Sequence, residues 1–333
     1  MATLKDIAEQ AGVSTSTVSR VLNGKEYINS EKRAQILKLL EENNYALPTK
    51  TSKNHAIAGV FTIGIVIPDT FNLFQRQLFS VIERFLSPLG YNTRLFFIKH
   101  NMASQMECLE RIKLEAPDGI IMLDEIDSPE FSEYIASTSL PVVSTVPNND
   151  EIPTIKVDDR QAAINAVSHL ISLGHRKINF VGGNGFSFGQ ERIKGYYDAL
   201  EAAGLDRDEI RCFSSAQFST EAGIYGTREM LLRGGDFTAL FAASDELAMG
   251  AIRALKDAGI RVPEDVSVIG FDNIESSNYF IPRLTTIHQP IEEIGEHAVT
   301  YLRRLMGVAT KVYPEIIIPH KLIIRESTRS IAH

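Results

Sequence analysis

From Thr62 onward, short runs of β-branched and apolar residues alternate with longer stretches whose apolar positions recur at helical spacing. Thr62–Pro68, Thr93–Ile98, Gly119–Leu123, Leu140–Ser144, Lys177–Val181, Ala239–Ala243 and Val266–Gly270 read as strands. Strands apolar on both faces need cover on both faces, so the rhythm predicts parallel sheets flanked by helices. Two sets of such units fit two doubly wound parallel-sheet subdomains. Ligands of open α/β sheets sit beyond the carboxyl ends of the strands, and two facing lobes can share one such cleft.

The amino-terminal residues follow a helical pattern instead. Thr3 can cap a first helix with Ile7 and Ala8 facing inward. Gly12 supplies a turn, and Ser14 can accept from the free N–H groups opening a second helix that stops at Asn23-Gly24. This order predicts an all-α helix-turn-helix headpiece, whose second helix enters the major groove of double-stranded DNA amino end first. Thr15, Ser16 and Arg20 then face base edges, while the hydroxyls of Ser14, Thr17 and Ser19 suit phosphate oxygens. Thr3, Asn23 and Asn29, at the helix ends, complete the candidate DNA-binding set. An ordinary helical hairpin is the alternative, and the agreement of cap and turn signals weighs against it.

A third helix is expected from Asn29 or Ser30 to about Asn44, with Ala34, Leu37 and Leu40 forming an inward stripe and Tyr45 closing the small core. Residues 46–58 lose this periodicity and become polar, as a linker does. The expected units are a headpiece over 1–47, a linker over 48–59 and an α/β unit over 60–333. Within the last, one subdomain takes about 60–158 and 291–318, and the other about 159–290 and 319–333.

The net charge of −8 becomes informative when divided along the chain. Residues 1–58 hold eight Lys/Arg against six Asp/Glu, leaving the remainder 26 basic and 36 acidic residues. A mildly basic head on an acidic body keeps phosphate attraction local. Two heads on a homodimer would add their effects through effective concentration, and a pseudo-palindromic operator would mirror the two-fold axis. No apolar run approaches the ~18 residues of a membrane span, and Met1 leads directly into a charged, capped helix, so a cytoplasmic protein is expected. Cys108 and Cys212 stand apart and the histidines lack ligand spacing; neither a metal site nor a cofactor is expected.

The run Thr17-Val-Ser-Arg-Val-Leu-Asn23 resembles a hallmark of the LacI/GalR family of bacterial repressors. Leu173-Gly174-His175, Ser244-Asp-Glu-Leu-Ala-Met-Gly250 and the stretch 265–290 are similar to that family's effector domain, which is periplasmic-binding-protein-like. The resemblance implies a dimeric repressor whose operator affinity changes when a small molecule, a sugar in many relatives, enters between two lobes. It also implies a hinge helix with an Ala and a Leu wedge in the minor groove, but here Ser52 and His55 occupy the slots after Pro48. The stretch Asn278–Ile281 is a candidate dimer contact, and the carboxyl-terminal residues show no heptad tail for a tetramer.

Residues after the strands supply the candidate effector set: Asn72, Phe74, Asp124, Arg192, Phe218, Ser244, Asp272 and Gln289. Phe74 and Phe218 offer flat apolar faces, while Arg192 and Asp272 can bridge neighbouring hydroxyls. Phosphate or purine ligands favour more cations than this set holds. Duller readings exist: an acid at a strand end often caps the next helix, which fits Asp245 and Asp124, and Arg192 can pair with Asp272 as a structural bridge. Val146 and Ser244 stand where many relatives carry Asp and Asn, so no relative's ligand transfers directly. A regulator answering to a phosphocarrier protein, or a sugar-binding module without a regulatory role, is the alternative.

An enzyme reading rests on Gly185-Phe-Ser-Phe-Gly189, a G-x-S-x-G sequence followed by Asp272 and His288. The nucleophile elbow places its Ser directly after a strand, and Gly182-Gly183-Asn184 intervene here. No catalytic residue is therefore assigned.

Overall fold

A computed structural model of the chain describes residues 61–331 except 127, 148–151, 184, 185, 206–211, 216, 235 and 308–314, together with residues 8, 10–15, 17, 18, 32, 35, 36 and 39. Strands β1 (Thr62–Pro68), β2 (Asn92–Ile98), β3 (Gly119–Met122), β4 (Val142–Ser144), β5 (Thr154–Lys156) and β11 (Glu315–Ile317) form one sheet, in the order β11-β5-β4-β3-β1-β2. Strands β6 (Ile178–Gly183), β7 (Cys212–Ser215), β8 (Ala239–Ala242), β9 (Ser267–Asp272), β10 (Thr285–His288) and β12 (Lys321–Ile323) form the other, in the order β12-β10-β9-β8-β6-β7. All pairings are parallel except β10 with β12. The strands expected from the sequence are present with their ends within two residues, and β5, β7, β10, β11 and β12 are additions.

Eight helices cover the sheets among the described residues: α1 (Leu73–Leu86), α2 (Met102–Glu115), α3 (Pro129–Thr138), α4 (Asp159–Ser172), α5 (Ser187–Ala202), α6 (Thr220–Leu232), α7 (Asp245–Asp257) and α8 (Ile291–Gly307). In the first lobe, strand alternation sends Ile63, Ile65 and Ile67 to one face, where Leu78 and Ile82 of α1 and Leu302 of α8 pack. Val66 faces the opposite way and meets Phe96, Leu109, Ile112 and Phe131 under α2 and α3. Cys108 belongs to that apolar layer, and its burial pushes the thiol up to about 12, as befits a small hydrophobe.

The chain passes between the lobes three times: from β5 into α4, from β10 into α8, and from β11 into β12. Each link carries a buried residue, Val157, Gln289 and Ile318 respectively. Links of this kind let the lobes share a cleft while keeping separate sheets.

In the headpiece, Ala8, Ala11, Val18 and Ile36 are buried, and Gly12 holds φ at 64° between the helical residues. Ser14 Oγ accepts from Thr17 N at 3.2 Å and lies 2.8 Å from Thr17 Oγ1, so the expected cap is formed. Ile36 is a core position that the stripe of Ala34, Leu37 and Leu40 leaves out. That stripe, residues 48–59, and Thr3, Ser16, Ser19, Arg20, Asn23 and Asn29 lie outside the described residues.

Candidate ligand-binding cleft

A cleft of about 510 Å³, counting its open mouth, lies between the lobes at the carboxyl ends of their strands. Asn72, Phe74, Arg192, Phe218, Asp272 and Gln289 from the candidate set line it, and Asp124 and Ser244 do not. Gln75, Leu78, Leu123, Thr145, Val146, Pro147, Lys156, Asp159 and Phe188 complete the wall.

The charged part of the wall converges on Arg192, in the second turn of α5. Its Nε donates to Asp159 Oδ1 at 2.8 Å and its Nη1 donates to the Ala243 carbonyl at 2.6 Å. The guanidinium lies 3.7 Å from the centroid of the Phe271 ring and 5.1 Å from that of Phe188. Asp272 Oδ1 stands 3.6 Å from Nη1 and accepts from Gln289 Nε2 at 2.7 Å. Arg192 is thus held chiefly by Asp159, with Asp272 a looser neighbour, so a simple Arg192–Asp272 bridge does not describe the site. Arg192 Nη2, Asp272 Oδ2 and Gln289 Oε1 have no protein partner among the described residues.

Burial raises the Asp272 carboxyl to about 7, although Arg192 and the Gln289 hydrogen bond favour ionisation. Asp272 also adopts φ of 108° and Asn273 φ of 58°, a consecutive left-handed pair of non-glycine residues at the end of β9. Asn273 is held there by Arg325 Nη2, which donates to its Oδ1 at 2.7 Å. Such backbone costs about 1–3 kcal/mol per residue and persists where surrounding contacts enforce it, commonly at binding sites.

The opposite wall is differently equipped. Asn72 caps α1 in a reciprocal box: its Oδ1 accepts from Gln75 N at 2.8 Å while Gln75 Oε1 accepts from Asn72 N at 3.2 Å. Gln75 Nε2 donates to the Leu123 carbonyl at 3.2 Å, and Thr145 Oγ1 donates to the Met122 carbonyl at 3.0 Å. Phe74 adds an aromatic face to this wall, whereas Phe188 and Phe218, with ring centroids 5.1 Å apart, stand on the wall of Arg192.

Asp124 is fully buried away from the cleft. Leu123 continues the ladder of β3 through its N–H to the Val66 carbonyl, so alternation turns Leu123 toward the cleft and Asp124 to the other face. There His100 Nε2 stands 3.2 Å from Asp124 Oδ2; the carboxylate raises the imidazole pKa, while burial raises that of Asp124. Asp124 caps no helix, since Ser128 caps α3. Ser244 caps α7 through Leu247 N at 3.2 Å, which leaves Asp245 free for another task. Asp245 instead accepts from Thr286 Oγ1 at 2.5 Å and Ile274 N at 2.8 Å, tying α7 to β10.

Ser187 begins α5 rather than a strand-end elbow. Its hydroxyl donates to Glu125 Oε1, its N–H donates to the same atom at 3.0 Å, and His288 faces Asn273 instead. Gly189 has a packing role: a Cβ there would lie 2.1 Å from the Gly183 carbonyl oxygen. The glycine lets α5 sit hard against the end of β6 and presents Phe188 and Arg192 to the cleft.

Ser187–Glu125 joins the two lobes, as do Leu73 N donating to Glu246 Oε2 at 2.9 Å and the edge-to-face contact of His100 with Phe186 at 4.3 Å. Among the described residues, no group of three or more His, Cys, Asp or Glu could hold a metal ion, and no helix is long and apolar enough to cross a membrane.

A helix-turn-helix head joined to a two-lobed α/β body with an interlobe cleft defines a ligand-responsive DNA-binding regulator. Residues 3–47 match the family of bacterial regulatory proteins of the lacI type, and residues 167–328 match a periplasmic binding protein-like domain. The chain is 32% identical to catabolite control protein A of Priestia megaterium over 332 residues, covering 98% of this chain and 99% of that protein. A transcriptional regulator CelR–cellobiose complex superposes with a TM-score of 0.73 at 27% identity, covering 98% and 100% of the two chains. The lac repressor dimer bound to operator and the anti-inducer ONPF superposes at 0.71 and 27% identity, covering 99% of each chain. The chain belongs to the LacI family of transcriptional regulators.

Proposed function

We propose that this chain is a cytoplasmic, homodimeric repressor whose affinity for a pseudo-palindromic operator is set by a sugar bound in the interlobe cleft. Residues 1–47 would read DNA, 48–59 would link, and 60–333 would bind the effector and dimerise, with no catalytic step. The observation that carries the sugar reading is the open valences of Arg192 Nη2, Asp272 Oδ2 and Gln289 Oε1 beside the rings of Phe74, Phe188 and Phe218. Vicinal hydroxyls suit a guanidinium and a carboxylate, and the C–H face of a pyranose suits an aromatic ring. The cellobiose bound by the structural relative supports the same class.

Coupling to DNA requires the sugar to favour one lobe arrangement over another; equal affinity for both would leave operator binding unchanged. The cross-lobe bonds of Glu125 and Glu246 hold the lobes in the present arrangement and are the contacts such a ligand would reinforce. For the dimer, Tyr279 and Ile281 are 73% and 89% exposed, an apolar surface that a second subunit would cover.

A thermal-shift screen against monosaccharides, disaccharides, sugar phosphates and nucleobases tests the reading, because a ligand of the folded state raises the melting temperature by mass action. A hit among free sugars, lost in Arg192→Ala, is the expected result. Hits confined to nucleobases or phosphates would contradict it.

A further inference from the structure

The two walls of the cleft differ in what they can still offer a ligand. On the wall of the second lobe, Arg192, Asp272 and Gln289 each keep a polar atom without a partner among the described residues. On the wall of the first lobe the polar atoms are largely occupied by the lobe's own structure. Gln75 uses both ends of its amide, the Thr145 hydroxyl proton goes to Met122, Lys156 Nζ pairs with Glu315 at 2.7 Å, and Asn72 uses its carbonyl oxygen, leaving its amide nitrogen as the donor this wall still offers.

The position that decides the chemistry is Val146. Its carbonyl accepts from Ser144 Oγ at 2.7 Å and its N–H donates to the same hydroxyl at 3.2 Å, so a single serine engages both backbone groups. Pro147 has no N–H to give. Among the described residues, these and Leu78, Leu123 and Phe74 make a patch that meets the ligand through carbon. A hydroxyl pressed against it loses water without gaining a partner. A bare hydrogen there leaves the patch unfilled, whereas a methyl group fills it.

We propose that the effector is a 6-deoxyhexose, with its ring hydroxyls on Arg192, Asp272 and Gln289 and its C5 methyl group against Val146, Pro147 and Leu123. This rests on the sugar reading above and narrows it to an amphipathic sugar, polar along one edge and carbon-faced along the other.

Matched series differing only at C5 isolate the claim, each comprising the pentose (hydrogen), the 6-deoxyhexose (methyl) and the hexose (hydroxymethyl) in the galactose, glucose and mannose configurations, D and L. Calorimetric titration of the full-length protein should find at least one series in which the 6-deoxyhexose binds at least about tenfold tighter than both partners, the scale on which an apolar pocket discriminates. In Val146→Asp that ratio should fall below about threefold as the hexose gains a partner for its hydroxyl. The wild-type comparison stands whether or not the variant folds. If sugars bind but hexoses or pentoses match or exceed their deoxy congeners, the methyl assignment is overturned and the sugar reading survives. If no sugar of any series binds while another sugar, such as a disaccharide, raises the melting temperature, the 6-deoxyhexose assignment falls and the sugar reading survives; if no sugar of either kind binds, the sugar reading itself falls.

Discussion

Arg192 Nε lies 2.8 Å from Asp159 Oδ1, and the two side chains are 5% and 6% exposed. The pair fastens α5, in the second lobe, to the segment that has just crossed from β5 of the first. Asp159 therefore holds the principal cation of the cleft in place, although no strand-end survey of the sequence pointed to it.

Asp159→Ala leaves Arg192 buried with its best partner gone. Removing one member of a buried ion pair costs about 3–5 kcal/mol, and urea unfolding should register a loss of that size. Asp159→Asn, which keeps an acceptor, should lose less. A loss under about 1 kcal/mol for the alanine variant would show that Ala243 and the aromatic rings suffice to hold the guanidinium.

Asp272 titrates near 7 in the folded protein because burial disfavours its charge, whereas in the unfolded chain it ionises near 4. Between those values the folded state binds more protons than the unfolded one, so stability from this group is complete below about pH 4 and is lost as pH rises through about 7. Chemical denaturation across that window should show the decline, and Asp272→Asn should flatten it. A slope remains from Asp245, whose carboxyl is also raised by burial and by the nearby Asp272. An unchanged slope in the variant would contradict the assignment.

Sugar hydroxyls donate best to an ionised carboxylate, so binding should release a proton from Asp272 near neutrality. Affinity should rise from pH 6 to pH 8, by at most about tenfold per pH unit at the steepest. Calorimetry in two buffers of different ionisation enthalpy should reveal the released proton in the wild type and none in Asp272→Asn.

Glu246 on α7 accepts from Leu73 N at the start of α1, so one carboxylate both bridges the lobes and faces the amino end of a helix. Glu246→Ala should loosen this lobe arrangement and weaken effector binding about fivefold, equivalent to ~1 kcal/mol for a partly exposed hydrogen bond. Small-angle scattering of the unliganded variant should give a larger radius of gyration than the wild type. Equal affinities would mean that this bond does not bias the lobes.

Patterning made the architecture legible because strands such as Ile63-Gly-Ile-Val-Ile67 are apolar throughout, a property parallel central strands need. The shortest link and edge strands were not legible: β5, β11 and β12 have three residues each, too few to carry a period. Missing β5 concealed Asp159, which stands three residues beyond its end. Strand-end reasoning located most of the cleft but went astray at Asp124, where alternation turned the side chain outward, and at Ser244, whose hydroxyl the next helix engages as its cap. Gly189 resembled part of a nucleophile motif, and only the proximity of α5 to β6 shows that its lack of a side chain serves packing. Val146 was visible as a departure from the family, but its consequence depended on where the Ser144 hydroxyl goes.

A sugar bound in the cleft is expected to alter operator binding. An operator selected in vitro from random duplexes, titrated by gel shift at fixed salt with and without a saturating sugar hit, tests it most directly. The expected result is a change in affinity of about tenfold or more in the wild type. That change should vanish in Asp272→Ala, which should still bind the operator, whereas Arg20→Ala should bind the sugar and lose the operator. Identical operator affinity with and without a sugar that calorimetry shows to be bound would contradict the account.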